Sequence, residues 1–177
     1  MSFQSINYRI DASDRIVFTD AAWFEFARIN GFANPDVLGT SLGSHITDRT
    51  TAHLYQAVVQ KVRSVRKPAQ VSFRCDAPTE RRFMVLEVTP EEGGALLFCS
   101  ITREMQFRPP VLLIDEALPR SGRFLTMCSW CKRVFLADQW IEAEAAIDRL
   151  CLFASERLPQ ITHTICPVCA GQFELKA

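Results

Sequence analysis

The chain has 177 residues, 48% of them hydrophobic, and its 20 basic and 20 acidic side chains leave a formal net charge of +0. That composition fits one moderate globular domain with an appendage, and the seven glycines and nine prolines are spread as punctuation with no internal repeat or low-complexity tract. The balanced charge, with a pI near 6.8, gives no overall drive toward nucleic acid or anionic lipid, and no apolar stretch reaches the length of a membrane span.

Tyr8-Arg-Ile10 and Ile16-Val-Phe18 flank the polar stretch Asp11-Ala-Ser-Asp-Arg15 and predict a hairpin. Thr19 and Asp20 offer N-cap oxygens to a helix through about Asn30, with Ala22, Trp23, Phe26, Ala27 and Asn30 on one face and Gly31 as a left-handed stop. Pro35 to Ile46 is expected to hold short helical pieces around Gly39 and Gly43. Thr47-Asp48 opens a longer helix whose apolar stripe is Leu54, Tyr55, Val58, Val59 and Val62. Three strands follow over Ala69 to Cys75, Arg82 to Thr89 and Ala95 to Arg103, separated by Asp76-Ala-Pro-Thr-Glu80 and by the turn signal Glu91-Glu-Gly-Gly94. Paired strands around a helical middle predict an α+β fold, a five-stranded antiparallel sheet with helices on one face.

A boundary follows, because Arg108-Pro109-Pro110 and Pro119-Arg120-Ser121-Gly122 flank the short apolar run Val111 to Ile114. The expected division is a first domain over 1–105, a linker over 106–123, and a cysteine-rich module over 124–177. Within the linker the apolar run reads as a connecting strand or a docking element.

The module carries two Cys-x-x-Cys pairs, Cys128-Ser-Trp-Cys131 and Cys166-Pro-Val-Cys169. Paired thiolates at this spacing suit a tetrahedral zinc at about 2.3 Å per sulfur, and four protein ligands leave no open position for water or substrate. Cys128, Cys131, Cys166 and Cys169 are therefore the expected ligands of one structural zinc per chain. Between the pairs, Trp140, Ala143, Ile147, Leu150, Cys151 and Ala154 recur at helical spacing, with Glu142, Glu144, Asp148 and Arg149 mostly opposite. This pattern predicts a helix of about four turns stopped by Pro159.

Two other readings of the cysteines stay open. A disulfide framework suits a secreted chain, but the N-terminal residues show no basic start followed by an apolar run. A redox-active pair needs an exposed Cys-x-x-Cys between a strand and a helix, as in a thiol-disulfide oxidoreductase or a thiol/zinc redox switch. His163, three residues before Cys166, is a candidate nitrogen ligand or hydrogen-bond donor to a coordinating sulfur, or an ordinary surface histidine. Cys75, Cys99 and Cys151 read as small core residues.

The order of elements, with Asp11-x-x-x-Arg15-Ile-Val-Phe, Ala21-Ala-Trp23-x-x-Phe26-Ala27, Asn30-Gly31, Asp36-Val-Leu-Gly39 and Leu96-Leu-Phe-Cys-Ser-Ile-Thr102, resembles the PAS domain family over roughly residues 5 to 105. The tail, Cys128-Ser-Trp-Cys131-Lys and His163-Thr-Ile-Cys166-Pro-x-Cys169, resembles a cysteine-rich extension of bacterial signalling proteins, with Thr164 where the common form has glycine. The resemblance implies a non-catalytic, cytoplasmic sensory, signalling or adaptor protein. Its core would bind a small-molecule ligand or a signalling protein, and it would pair as a homodimer. Leu38 to Ile46 has no cysteine where the family's photochemical members carry one, so flavin-adduct chemistry is not expected. A haem sensor would take an axial histidine near His53, which lies one position off the apolar stripe, and His45 is a weaker candidate.

Lys61, Arg63, Arg66, Lys67, Arg74, Arg81 and Arg82 concentrate positive charge. They read as a solvated rim or, more sharply, as a docking surface for the acidic set Asp138, Glu142, Glu144 and Asp148. A nucleic-acid-binding regulator would use that strip with Lys132 and Arg133, but the acidic helix between the knuckles opposes it. No Ser-His-Asp order, phosphate-cradling glycine loop, His-Glu-x-x-His or catalytic carboxylate pair marks an enzyme.

Overall fold

A computed structural model describes residues 5–31, 36–46, 48–115 and 117–173. Two compact units divide it, Met1–Ser72 with Met84–Arg103 and Phe73–Phe83 with Glu104–Ala177. The protein is α+β, and its larger sheet is five-stranded and antiparallel, as expected. The strands are β1 (Ser5–Ile10), β2 (Ile16–Thr19), β3 (Ala69–Arg74), β4 (Glu80–Pro90) and β5 (Leu96–Phe107), in the order β2-β1-β5-β4-β3. Between β2 and β3 lie helices α1 (Ala21–Ile29) and α2 (Arg49–Val65) and a 3-10 turn at Leu42–His45.

The predicted signals act locally as their chemistry requires. The Asp11 carboxylate accepts from the backbone N–H of Ser13 (2.8 Å) and Arg15 (2.9 Å), which closes the β1–β2 turn. Asp20 caps α1 by accepting from Trp23 N (2.9 Å), and its other oxygen accepts from Asn7 N and Nδ2, which fixes the helix start to β1. Gly31 takes the left-handed φ of +74° that ends the helix. Asp48 caps α2; Thr47 and Pro35, also expected at element starts, lie outside the described residues.

Alternation along the strands sends Ile6, Tyr8, Ile10, Leu86, Val88, Leu96 and Phe98 into the core, where Val58, Val59 and Val62 of α2 are also buried. Tyr8 stacks on Phe98 with ring centroids 4.6 Å apart, and Trp23 and Tyr55 complete the aromatic group at 5.6 and 6.5 Å. Burial and the neighbouring Tyr55 hold the Tyr8 phenol well above its ordinary pKa. Arg63, expected on a solvated rim, instead donates to the Gly94 and Asp11 carbonyls and pairs with Asp14 at 2.7 Å. Lys61, Arg66 and Lys67 are exposed, as a rim requires.

The second unit departs most from expectation. Within 106–123, expected as a linker, Val111 and Leu113 are buried in the core of this unit, and the backbone N–H groups of Arg108 and Val111 donate to the Thr79 and Pro78 carbonyls. The expected four-turn helix is also corrected. Its expected start at Trp140 lies on strand β8 (Gln139–Ile141), which forms a hairpin with β7 (Val134–Leu136), and α3 covers only Ala143–Arg149. The helix ends where Cys151 turns left-handed at φ +51°, well before Pro159, and a 3-10 turn at Leu152–Ala154 follows.

Pro159 belongs to β9 (Leu158–Thr164), which runs parallel to β6 (Arg120–Cys128). The sheet order β8-β7-β6-β9 makes β9 an edge strand, a place where a residue without an N–H is tolerated. Met127, Val134, Ala146, Ile147, Leu152 and Leu158 fill the core beneath this sheet. Helix α4 (Pro167–Phe173) begins directly after Cys166 and carries Cys169 in its first turn.

Candidate metal centre

Each Cys-x-x-Cys pair sits where an element ends. Cys128 is the last residue of β6, Ser129 and Trp130 turn the chain, and Lys132 takes a left-handed φ of +61° so that its N–H reaches the Cys128 carbonyl at 3.0 Å. The Cys128 N–H donates to the Arg133 carbonyl (2.8 Å), which returns the chain into β7. In the second pair, Pro167 opens α4 with the φ a first helical residue needs, and the Cys169 N–H points at the Cys166 sulfur (3.4 Å). The parallel register of Cys128 against Thr164, together with a Ser129 N–H to Thr164 carbonyl bond of 2.8 Å, brings the two knuckles side by side.

The four thiol sulfurs of Cys128, Cys131, Cys166 and Cys169 lie within 4.8 Å of one another. Cys131 Sγ and Cys166 Sγ are 3.7 Å apart; a tetrahedron with arms of about 2.3 Å has edges of about 3.8 Å. Cys128, Cys166 and Cys169 are buried and Cys131 is half-buried, so bulk water screens the cluster little. Backbone N–H groups face the sulfurs, that of Cys166 reaching Cys128 Sγ at 3.4 Å. These residues could hold a metal ion.

The electrostatics favour a cation. The hydrogen bond from the Cys131 thiol holds Cys128 down at about 4 against the burial that opposes it, while donating that bond, and burial, push Cys131 far up. Burial, then the hydrogen bond with Cys166, pushes Cys169 up to about 12. Four negative charges cannot share this volume, so without a cation Cys131 and Cys169 keep their protons; a divalent cation displaces them. Four sulfurs in a closed tetrahedral set match a borderline or soft cation and exclude hard calcium or magnesium.

His163 does not join this set. It is exposed on β9, in register with Met127. His53 is exposed on α2, and His45 Nε2 lies 2.6 Å from Thr40 Oγ1, so neither is turned into the core as an axial ligand would be. Cys151, expected on a core face, is exposed, and Cys75 and Cys99 are half-buried.

Beside the cluster lies an ion-pair network that the sequence showed in part. Arg74 Nη1 reaches Glu142 Oε2 at 2.6 Å, and Arg81 Nη2 reaches Glu144 Oε1 at 2.8 Å, as the docking reading of the basic strip requires. Asp138 and Asp148, expected to contribute, are exposed, and Arg82 pairs with Glu80. Two members had no signal: Asp76, whose side chain is 2% exposed and is shared by Arg74 and Arg108, and Arg108 itself, which also reaches Glu144 at 2.6 Å. Arg133 Nε donates to the remaining Glu142 oxygen at 3.1 Å. Burial alone would raise Glu142, but hydrogen bonds from Arg74 and Arg133 hold its carboxyl below the ordinary value. Glu144 is likewise lowered against its burial, by its own backbone N–H and by Arg108. Trp130 packs on Phe73 at 5.7 Å, and its carbonyl accepts from Arg74 N at 2.8 Å, linking the first knuckle to the network.

Among the described residues, no helix is long and apolar enough to cross a membrane. The chain matches no known family model, and no curated protein sequence matches it significantly.

Proposed function

We propose that the protein is a non-catalytic sensory or adaptor protein, with a PAS-like first unit and a second unit held by one structural zinc. The observation that carries the zinc reading is the convergence of Cys128, Cys131, Cys166 and Cys169 within 4.8 Å. A site filled by four thiolates stabilises a fold and has no position left for a reacting water. The sensory reading rests on the resemblance of residues 5 to 105, and the succession of two strands, a helical middle and three strands supports it. The aromatic group of Tyr8, Trp23, Tyr55 and Phe98 fills space between the first unit's sheet and helices. That filling favours a protein partner over a bulky ligand as what this unit binds. A cytoplasmic homodimer is the form we propose for it.

Native mass spectrometry of the protein purified without added metal tests this reading. One zinc per chain is the expected result, in dimers. A mass lower by two hydrogens per cysteine pair, with no metal, would replace the structural site by the thiol-disulfide alternative. An added organic mass would show that the first unit holds a ligand rather than a partner.

A further inference from the structure

The second unit contains a cleft of about 410 Å3, within the range of roughly 300–1,000 Å3 that encloses small organic ligands. Its apolar wall is made by Leu113 and Met127, both buried, with Ile114 and Ile161 partly buried beside them. The parallel register that pairs Met127 with His163 puts these two side chains on one face of the sheet, so the histidine joins the same cleft.

Two further lining residues are cations held by neutral partners. Arg120 Nη1 donates to the carbonyls of Leu113 and Pro159 (3.1 Å each), and its Nη2 donates to the Asp115 carbonyl (2.6 Å). Lys132 Nζ donates to the Ser129 carbonyl at 2.8 Å. Carbonyls orient these heads without cancelling their charge, and among the described residues no carboxylate pairs with either. Asp76 also lines the cleft, but its almost fully buried carboxylate is shared between the guanidinium groups of Arg74 and Arg108. The nearby thiolates act electrostatically on Arg133, whose pKa is raised first by Glu142 and further by Cys131 and Cys166. The lining thus combines an apolar wall with oriented cations that no carboxylate among the described residues pairs.

We propose that this cleft binds a small organic anion, its acidic group paired by Lys132 and Arg120 with His163 as a further donor, and its apolar body against Leu113, Ile114, Met127 and Ile161. The site is independent of whatever the first unit recognises. Phenyl phosphate is a suitable probe, with benzyl alcohol and inorganic phosphate as its neutral and bodiless counterparts, each titrated into the full-length metal-loaded protein and followed by amide and methyl NMR shifts. Shifts should centre on Lys132, Met127, Ile161 and His163, and both counterparts should bind at least about tenfold more weakly than the probe.

The double variant R120Q/K132Q, with metal content and melting temperature checked, should weaken phenyl phosphate at least about tenfold. If loss of the Arg120 carbonyl bonds prevents folding, K132Q/H163Q makes the same test with Arg120 intact and the exposed His163 replaced instead. Parental affinity in the folded variant, or shifts centred elsewhere, would overturn the proposal. Metal content is read separately, so failure here is distinguishable from failure of the zinc assignment.

Discussion

The first unit is closed by apolar side chains of considerable size: Phe98, Leu86, Leu96 and Ile10 are almost fully buried and Tyr8 stacks on Phe98. The second unit also buries apolar side chains, Leu113, Met127, Trp130, Val134, Ile147 and Leu152 among them, but beside them stand four thiols and a network of arginines and carboxylates. Small cores seldom bury enough apolar surface to offset chain entropy, and metal ligation supplies the remainder. One chain therefore uses two solutions to one problem, area in one unit and directional bonds in the other.

The sharpest way to break this contrast is to remove the metal. Chelation, or the variant C128S/C166S, should abolish amide-exchange protection in β6, β7 and β9 while β1 and β5 remain protected. Structural zinc sites contribute about 10–16 kcal/mol in small peptides, more than a unit of this size retains. Equal loss in both units would end the comparison.

A matched pair of substitutions comes next. Asp76→Ala leaves the guanidinium groups of Arg74 and Arg108 buried beside an empty position and should cost about 3–5 kcal/mol. Phe98→Ala should cost a similar amount, about 3–5 kcal/mol, through cavity formation. Urea unfolding followed unit by unit should show salt sensitivity for the first variant's site and none for the second.

Acid sharpens the same distinction by a smaller margin. The folded pKa values of Glu142 and Glu144 lie below the ordinary 4.5, so their contribution is complete above that pH and is lost as pH falls through the folded values. Glu142→Gln should flatten the stability slope of the second unit below about pH 5. Because that variant keeps all four cysteines, acid release of metal is common to both proteins and drops out of the difference. The smallest effect is expected at Cys151, exposed and outside the cluster. Cys151→Ser should change stability by less than about 0.5 kcal/mol and leave bound metal untouched.

Legibility in the sequence followed the same divide. Asp20, Asp48 and Gly31 act within a few residues of themselves, so the start and stop of α1 and the start of α2 could be read locally. Both cysteine pairs also announced themselves by spacing. The small sheet did not, because strands of three residues such as Val134–Leu136 and Gln139–Ile141 are too short to display a period of two. The turn between them places Ala137 and Asp138 at φ +47° and +61°, a conformation that glycine or asparagine would have signalled and alanine does not. Asp76 and Arg108 meet only through tertiary packing, which no local pattern records.

The pairing of β6 with β9 is parallel and joins segments separated by two strands, a helix and a 3-10 turn. Such a pairing must be closed before its hydrogen bonds can repay the loss of chain freedom, and topologies of this kind fold slowly. Each Cys-x-x-Cys, by contrast, is local and can hold an ion as soon as it is synthesised. An ion captured by the first knuckle and completed by the second would deliver the end of β9 to β6 in register, making the availability of metal during synthesis a determinant of folding rate as well as of final stability.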